Sequence, residues 1–447
     1  MQHSIGNFFP SKRTRATGGG GGGGGEDVQW GGVGATWIGK WGAPKPAARL
    51  AAFDLDATLI CVKGRSRFPR DSDDWRLFHP SVPLMLRRLH QQGYRIVVLS
   101  NQNGLRPGKN SVGLSKGAKE FRLKIAKVAR VLDVPFTIVV ATEKDYMRKP
   151  SPGMWHLAEL DNGGIAVDRS ASFFVGDAAG RPDGWKPGEA ADFSDSDLAF
   201  ALNVGVPFYT PDELFTDEAG AEPEPLALPK PRQWDIARFA PAKLPADPDA
   251  HARLLDAIRE HVGQAKEAGR GLLVVLVGPP ACGKSTFART HLEPLGAERV
   301  NMDELKTRNK CVDAVRSALA AGRCAVVDNT SPDAAARSPF VALAGECGAA
   351  RIAVVFEHAS RDLALHNNNF RAQLAQARYL SAPELSGAAG LAGVPDAVGR
   401  VPEVAYHGFY KRLELPTAAE GFDAVLQHAF VPAFDSADDE RLWNQFL

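Results

Sequence analysis

The stretch Ala51-Ala52-Phe53-Asp54-Leu55-Asp56-Ala57-Thr58 is a short apolar run that ends in two carboxylates. Its apolar residues are typical of a buried strand. Because side chains two residues apart in an extended chain point the same way, Asp54 and Asp56 can face one site. Parallel sheets bind ligands at the carboxyl ends of their strands, where this pair would lie. An acidic turn that caps a helix through Thr58 is an equally acceptable interpretation of these residues alone.

The rest of the chain alternates between strand-like and helix-like segments. Apolar strand-like runs cover residues 94–99, 136–140, 172–175, 272–277, 324–327 and 351–356. Between them, spacings such as Val82, Leu86 and Leu89 are typical of one face of a helix. Strands that alternate with helices predict mainly parallel sheets of the α/β class.

Composition divides the 447 residues into an N-terminal tail, two domains and a linker between them. The consecutive glycines Gly18 to Gly25 cannot hold a helix or bury side chains, so residues 1–48 are predicted to be a flexible tail. The alternating patterns occupy residues 49–215 and 251–447, and residues 216–250 are interpreted as a partly packed linker. Three tryptophans of the tail, Trp30, Trp37 and Trp41, either fold back on the body of the protein or dock a partner.

Composition also excludes several classes of protein. The formal net charge of +1 argues against a strongly basic binder, although a local basic groove can coexist with a neutral total. Five cysteines without CxxC spacing argue against a disulfide scaffold or a zinc module and favour a reducing compartment. No apolar run reaches the roughly 18 residues that span a bilayer.

Three more polar groups, Ser100, Lys149 and Asp177, follow strand-like runs of the first domain. This part of the chain, about residues 49–215, resembles the haloacid dehalogenase-like phosphatases. Their four motifs have the same order: an acid pair, a hydroxyl, a lysine and an acid. The resemblance implies a Rossmannoid domain in which Asp54 attacks phosphorus and forms an aspartyl-phosphate. Asp56 would protonate the leaving alcohol and then activate water.

The same resemblance implies a Mg²⁺ ion held by Asp54, the backbone carbonyl of Asp56, and Asp177, since hard oxygen ligands suit that ion. Ser100 and Lys149 would bind and neutralise the phosphoryl oxygens. Ala57 stands where the superfamily commonly has glycine, and we expect function to survive this small change.

A second phosphate-binding pattern, Gly278-Pro-Pro-Ala-Cys-Gly283-Lys284-Ser285, follows an apolar run and precedes a helical stretch. In this context the pattern predicts a P-loop, whose backbone amides close around the phosphates of ATP. Lys284 is expected to contact the β- and γ-phosphates and Ser285 to bind Mg²⁺, with Thr286 beside them. The alternative is a glycine turn with an exposed lysine.

Three residues farther along are candidates for the rest of this second site. Asp303 is a candidate base for an incoming hydroxyl group. Asp328 ends an apolar run and either faces the metal or caps the next helix. Arg371, in the stretch His366-Asn-Asn-Asn-Phe-Arg371, either closes over the phosphates or is a solvated surface residue.

Together the two halves resemble the polynucleotide kinase 3′-phosphatase family of DNA-end-healing enzymes. The resemblance covers about residues 49–430 and rests on stretches such as Asp74-Trp-Arg, Phe174-Val-Gly-Asp-Ala-Ala-Gly-Arg-Pro, Asp328-Asn-Thr and His366-Asn-Asn. It implies that the first domain removes 3′-phosphates and that the second phosphorylates 5′-hydroxyls with ATP, Asp303 and Arg371 being catalytic residues. It also implies a nuclear DNA-repair enzyme, which we expect to act as a monomer.

Two departures from the family concern the second site. Met302 and Asn369 stand where the family commonly has arginine, so we expect a kinase weaker than the phosphatase. Two other functions stay open: an RNA end-healing kinase/phosphatase, and a weakly catalytic repair scaffold bound to the replication sliding clamp.

The N-terminal residues Gln2-His-Ser-Ile5-Gly-Asn-Phe8-Phe9 resemble the peptide that docks on that clamp. Ile5, Phe8 and Phe9 can form one apolar plug in a tight helical turn, with Gln2 reaching a separate pocket. We expect this peptide in place of the forkhead-associated domain of the animal enzymes. The alternative is an incidental aromatic pair at a frayed terminus.

Overall fold

The computed structural model describes residues 27–64, 66, 68–105, 113–217, 228–357, 359–381, 394–395 and 398–447. The predicted clamp-binding residues and the glycine tract lie outside these ranges. The described residues form two compact units: those within 27–238, 373–398 and 445–447 make the first, and those within 239–372 and 399–444 the second. Among the described residues, no helix has the length and apolar character needed to cross a membrane.

The first unit contains one large sheet and a small two-stranded one. Its strands are β1 (Gln29–Val33), β2 (Thr36–Trp41), β3 (Arg49–Phe53), β4 (Ile60–Cys61), β5 (Arg76–Leu77), β6 (Tyr94–Asn101), β7 (Phe136–Ala141), β8 (Phe173–Val175) and β9 (Phe208–Tyr209). The large sheet has the order β1-β2-β7-β6-β3-β8-β9, with parallel pairing from β7 to β9 and antiparallel pairing of β1 with β2 and of β2 with β7. The predicted α/β class is therefore confirmed, and β3 lies at the centre of the parallel part.

In the part of the chain that the structure describes, four α-helices connect these strands and a fifth, short one follows β9. They are α1 (Val82–Gln91), α2 (Lys116–Leu132), α3 (Gly153–Leu160), α4 (Ser196–Val204) and α5 (Pro211–Leu214). The face of α2 that carries Phe121, Ile125 and Val128 is buried against the sheet, as the helical spacing of its apolar residues predicts. The apolar strands are covered on both faces, which is usual for parallel sheets.

The N-terminal hairpin corrects part of the expected flexible tail. Residues 29–41 are two strands of the large sheet, and β2 pairs with β7 along its whole length. Trp30, Trp37 and Trp41 pack against the core of the first unit, so the alternative in which they fold back on the body is confirmed. The glycine-rich composition hid this hairpin, because Gly31, Gly32 and Gly39 weaken the strand pattern in the sequence.

The second unit is built around a five-stranded parallel sheet. Its strands are β10 (Leu272–Val277), β11 (Ala297–Val300), β12 (Cys324–Val327), β13 (Ala350–Val355) and β14 (Ala424–Gln427), in the order β11-β12-β10-β13-β14. Its helices are α6 (Pro248–Glu267), α7 (Lys284–Phe287), α8 (Met302–Leu305), α9 (Arg308–Ala320), α10 (Ala334–Glu346), α11 (Arg361–Leu380), α12 (Glu403–Arg412) and α13 (Ala437–Trp443). All six residues of the central strand β10 are buried, which explains its continuous apolar sequence.

The expected linker is divided between the two units: residues 228–238 belong to the first unit and residues 239–250 to the second. Trp234 packs edge-on against Phe208, with ring centroids 5.7 Å apart, and Arg238 forms an ion pair of 2.6 Å with Asp195. Helix α6 begins at Pro248, slightly before the expected domain boundary. Helix α11 begins in the second unit, but residues 373–381, 394–395 and 398 belong to the first unit, although we expected residues 251–447 to form one domain.

The hairpin generates a prediction about stability. Trp37 lies 6.4 Å from Phe121 between ring centroids, and the Arg122 guanidinium lies 5.0 Å above the Trp37 ring. Replacing this half-buried side chain, Trp37→Ala, should lower the free energy of unfolding by roughly 2–3 kcal/mol, less than for a fully buried tryptophan. Calorimetric unfolding of the full chain would measure this loss.

Leu123→Ala is the matched control, because Leu123 lies on α2, the helix that Trp37 contacts, and is 53% exposed. It should change the stability by less than about 0.5 kcal/mol. Equal stability of the Trp37→Ala variant and the unsubstituted chain would show that the hairpin does not brace α2.

Candidate active sites

The predicted residues of the first site converge at the carboxyl edge of the large sheet. Asp54 directly follows β3, and its backbone N–H donates to the carbonyl of Val175 at 2.8 Å. Ser100 lies in β6, Lys149 in the loop after β7, and Asp177 just after β8. Because β7, β6, β3 and β8 are parallel neighbours, their carboxyl ends bring these residues together.

A buried lysine joins two of the carboxylates. Lys149 is 3% exposed, and its Nζ lies 2.5 Å from Asp54 Oδ1 and 2.7 Å from Asp197 Oδ1. Burial opposes the lysine's charge, but Asp197 and Asp54 outweigh that effect and raise the pKa of Lys149. Asn101 fixes the backbone of Lys149 by donating to its carbonyl (3.1 Å) and accepting from its N–H (3.0 Å).

Asp197 is a site residue that the sequence analysis missed. Carboxylate oxygens of Asp54, Asp177 and Asp197 all lie within 4.8 Å of one another. A Cβ at Gly176 would lie 2.4 Å from Asp197 Oδ2, so only glycine permits this approach. In the sequence, Asp197 is an ordinary acid in the first turn of a helix, and nothing about that position marks a site.

The carboxylate group has the donor set of a divalent-cation site. Burial raises the pKa of Asp54 to about 7 and that of Asp177 to about 8; Lys149 lowers both values, and the repulsion from Asp197 raises them further. The three carboxylates repel one another and ionise with difficulty in the absence of a cation. Their oxygen ligands suit Mg²⁺, whose positive charge would relieve that repulsion. The side chain of Asp56 is not one of the three grouped carboxylates.

The turn after β3 shows why the superfamily commonly has glycine where this chain has Ala57. Ala57 has a φ of +58°, in the left-handed region where glycine is unstrained and other residues cost about 1 kcal/mol. No helix begins at Thr58, because the chain turns directly into β4. Thr58 is buried, and its hydroxyl donates to Asp177 Oδ1 at 3.4 Å, so the helix-cap interpretation of this stretch is wrong.

The second site begins at the loop between β10 and α7. Lys284 is only 7% exposed, and its Nζ donates to the carbonyls of Gly278 (2.9 Å) and Pro279 (2.6 Å). Gly283 has a φ of +101°, a conformation that favours glycine. Ser285 and Thr286 follow in the first turn of α7. A glycine turn with an exposed lysine is therefore excluded.

Polar residues that follow the neighbouring strands β11 and β12 lie at the same edge of the sheet as this loop. Asn301, after β11, donates through Nδ2 to the backbone carbonyl of Asp328 (2.7 Å) and accepts from the N–H of Asp303 (2.8 Å). Asp328 is 2% exposed and accepts from Arg299 Nε at 2.7 Å. The cap of α10 is Asp333, so Asp328 does not cap it, and the interpretation of Asp328 as a metal-side residue remains.

Arg371 lies on α11, where neighbouring residues fix the helix. His366 Nε2 lies 2.7 Å from the carbonyl of Trp443, and burial lowers the pKa of His366 to about 4. Asn368 donates to the carbonyl of Val401 at 2.9 Å. Arg371 is exposed and contacts Asn368 Oδ1 at 3.4 Å, so this segment anchors the helix and presents the arginine at its surface.

Comparisons with known proteins match both parts of the chain. The sequence profile of the polynucleotide kinase 3 phosphatase family matches residues 49–215, and that of an AAA domain family matches residues 273–311. A bifunctional polynucleotide phosphatase/kinase from Schizosaccharomyces pombe is 34% identical over 94% of this chain and 88% of its own length. A polynucleotide 3′-phosphatase from Arabidopsis thaliana is 36% identical over 37% of this chain and 24% of its own length.

Among solved structures, a HAD-like phosphatase from Mesorhizobium loti covers 39% of this chain and 77% of its own, with 20% identity and a TM-score of 0.28. A TM-score this low carries no argument about the fold, which is described by the strand order of the large sheet.

The carboxylate group generates a prediction about pH and metal. The folded pKa values of Asp54 and Asp177 lie above the ordinary value of 3.8, so protonation favours the folded state. Their contribution to stability is complete below about pH 4 and is lost as the pH rises through about 7 to 8. The metal-free chain should therefore unfold at a lower temperature at pH 8.5 than at pH 6, and Mg²⁺ should restore several degrees at pH 8.5.

Asp177→Asn should weaken both the pH dependence and the response to Mg²⁺ in scanning calorimetry. Asp183→Asn, at an exposed acid of the same loop, is the control and should leave both unchanged. An undiminished Mg²⁺ response in the Asp177→Asn variant would place the ion elsewhere.

Proposed function

The chain belongs to the family of bifunctional polynucleotide phosphatase/kinases, and we propose that it heals broken DNA by removing 3′-phosphates and phosphorylating 5′-hydroxyls. One observation carries the proposal: Lys149 and Asp54 meet 2.5 Å apart at the end of a central strand, in the same chain as a P-loop with a buried lysine. One site suits the removal of a phosphoryl group and the other its transfer from a nucleotide.

The first reaction divides between two aspartates. A carboxylate oxygen of Asp54 attacks the phosphorus, the bond to the 3′-oxygen breaks, and Asp56 gives its proton to that oxygen. Asp56 then takes a proton from water, whose oxygen attacks the aspartyl-phosphate and releases inorganic phosphate. Ser100 and Lys149 bind the phosphoryl oxygens. Mg²⁺, when bound by Asp54, Asp177 and the backbone carbonyl of Asp56, supplies the charge that a dianionic substrate requires.

The second reaction uses ATP. Asp303 takes the proton of the 5′-hydroxyl as its oxygen attacks the γ-phosphorus, and the bond to the β-phosphate breaks to release ADP. Lys284, within the loop Gly278–Ser285, binds the phosphates, and Arg371 neutralises charge on the transferring group. Ser285 would hold Mg²⁺ on the phosphates, with Thr286 beside it.

Two exposed aromatic side chains support a polynucleotide substrate. Phe68 is 70% exposed in the segment between β4 and β5, and Phe193 is 81% exposed. Phe193 follows Asp192, which accepts from the N–H of Ala179 at 3.1 Å and so lies beside the segment after Asp177. Exposed aromatic rings of this kind stack on unpaired bases irrespective of sequence.

Substitutions that separate the two reactions test this assignment. On a gapped duplex with a 3′-phosphate and a 5′-hydroxyl, in the presence of ATP and Mg²⁺, Asp54→Asn should slow phosphate removal about 1000-fold and leave 5′-phosphorylation nearly unchanged. Lys284→Met should do the opposite. Lys310→Met, at an exposed lysine of α9, is the control. Single-turnover rates of the unsubstituted chain should show a faster phosphatase than kinase, since Met302 and Asn369 carry no charge.

The same assay on the RNA counterpart distinguishes the remaining functions. Faster reaction of the RNA ends would favour RNA end healing. Failure to modify either substrate would leave the weakly catalytic scaffold as the function.

We also propose a nuclear monomer that docks on the replication sliding clamp through Gln2, Ile5, Phe8 and Phe9. The spacing of these residues, followed by Lys12, Arg13 and Arg15, supports this assignment. Replacement of both Phe8 and Phe9 by alanine should abolish clamp binding in titration calorimetry and leave both catalytic rates unchanged. Lys12→Ala is the control and should weaken binding only slightly. An unaltered affinity of the double variant would discard the docking peptide.

A further inference from the structure

The side chain of Asp56 is held by a separate donor on each carboxylate oxygen. Gln102 Nε2 lies 2.5 Å from Asp56 Oδ2, and Lys124 Nζ lies 3.2 Å from Asp56 Oδ1. Gln102 follows β6, and Lys124 lies in the middle of α2. Two segments outside the turn between β3 and β4, in which Asp56 lies, therefore determine the direction of its carboxylate.

Lys124 is an unusual residue for the face of the helix that it occupies. Its side chain is 5% exposed, whereas that of Asp56 is 46% exposed. It lies on the same buried face as Phe121 and Ile125, and its Nζ lies 5.3 Å from the centroid of the Phe121 ring. A buried ammonium costs free energy that an ion pair with a half-exposed carboxylate does not fully offset, so stability alone does not account for a lysine here.

Both donors are attached to rigid parts of the unit. The side chain of Ser115 caps α2 by accepting from the N–H of Ala118 at 3.1 Å. Glu120 on the same helix accepts from the N–H of Ser72 at 3.0 Å. The backbone N–H of Gln102 donates to the carbonyl of Ala141 at 2.8 Å.

The amide of Gln102 links two groups of the first site. Its Nε2 donates to Ser100 Oγ at 2.9 Å as well as to Asp56. An ionised carboxylate only accepts hydrogen bonds, so in that state of Asp56 the nitrogen of the amide, rather than its oxygen, faces Asp56.

We propose that Lys124 and Gln102 are positioning residues that aim the carboxyl group of Asp56 at the leaving 3′-oxygen. This inference rests on the proposed role of Asp56 as general acid. A carboxylate offers about four acceptor positions, so the two donors leave positions open for the proton that is transferred. Proton transfer requires hydrogen-bond reach, and a displacement of about 1 Å can cost on the order of 100-fold in rate.

The leaving group provides a test that a purely structural role would not pass. A 3′-alkoxide is a poor leaving group and needs the proton from Asp56, whereas p-nitrophenolate leaves without it. In Lys124→Met, kcat/KM for a 3′-phosphorylated oligonucleotide should fall about 30- to 100-fold, through kcat rather than KM. For p-nitrophenyl phosphate it should fall less than about threefold. Gln102→Leu should show the same selectivity.

Two further variants complete the experiment. Lys124→Arg should recover part of the loss, because a guanidinium can donate to the same oxygen. Lys127→Met is the matched control, since Lys127 lies one turn along α2, is 34% exposed and pairs with Asp73. An equal loss on both substrates, or no loss on either, would overturn the positioning role.

Asp56→Asn separates this inference from the proposed function. If Asp56 is the general acid, this variant should show a still larger selectivity between the two substrates. If Asp56→Asn lacks that selectivity, the role of Asp56 itself fails. If Asp56→Asn shows this selectivity between the two substrates, whereas Lys124→Met and Gln102→Leu lack it, only the positioning role fails.

Discussion

The buried ammonium of Lys149 between Asp54 and Asp197 is the interaction on which the first site depends. Burial raises the pKa values of Asp54 and Asp177, and Lys149 compensates only part of that effect and of the repulsion among the three carboxylates. Such a group is stable when a further cation joins it, and a dianionic phosphoryl group needs that cation as well. The strand order and the missing side chain at Gly176 both serve to bring these charges together.

In the second site the buried lysine is stabilised by neutral groups rather than by carboxylates. Lys284 is nearly as buried as Lys149, but its ammonium is satisfied by the carbonyls of Gly278 and Pro279 rather than by carboxylates. Neutral dipoles stabilise the ammonium without cancelling its charge, so it stays available to attract phosphates. Asp328, by contrast, is paired with Arg299, which limits the negative charge near the loop. The first site therefore gathers negative charge, whereas the loop of the second site keeps the positive charge of Lys284, as metal-bound phosphate and nucleotide phosphate respectively require.

Local periodicity in the sequence is enough to predict part of each site. Asp54 and Ser100 come at the ends of apolar runs, and Lys284 closes the glycine-containing loop that follows such a run; parallel pairing brings the ends of neighbouring strands to one edge. Periodicity is insufficient where a residue's role depends on tertiary contacts. In the sequence, Asp197 looks like an ordinary acid at the start of a helix. Lys124 looks like one of several positive charges on a basic helix. Only the packing of α4 against Gly176 and of α2 against the sheet distinguishes them.

The N-terminal hairpin extends the same reasoning beyond the motifs. Trp30 and Trp37 hold Phe121 and Arg122 of α2, and that helix carries Lys124 to the carboxylate of Asp56. The matched phosphatase profile begins at residue 49 and contains every strand-end residue of the first site, yet it excludes the hairpin. Since orientation of the general acid depends on α2, and α2 is braced by residues 29–41, the functional unit of the phosphatase begins before its motifs do.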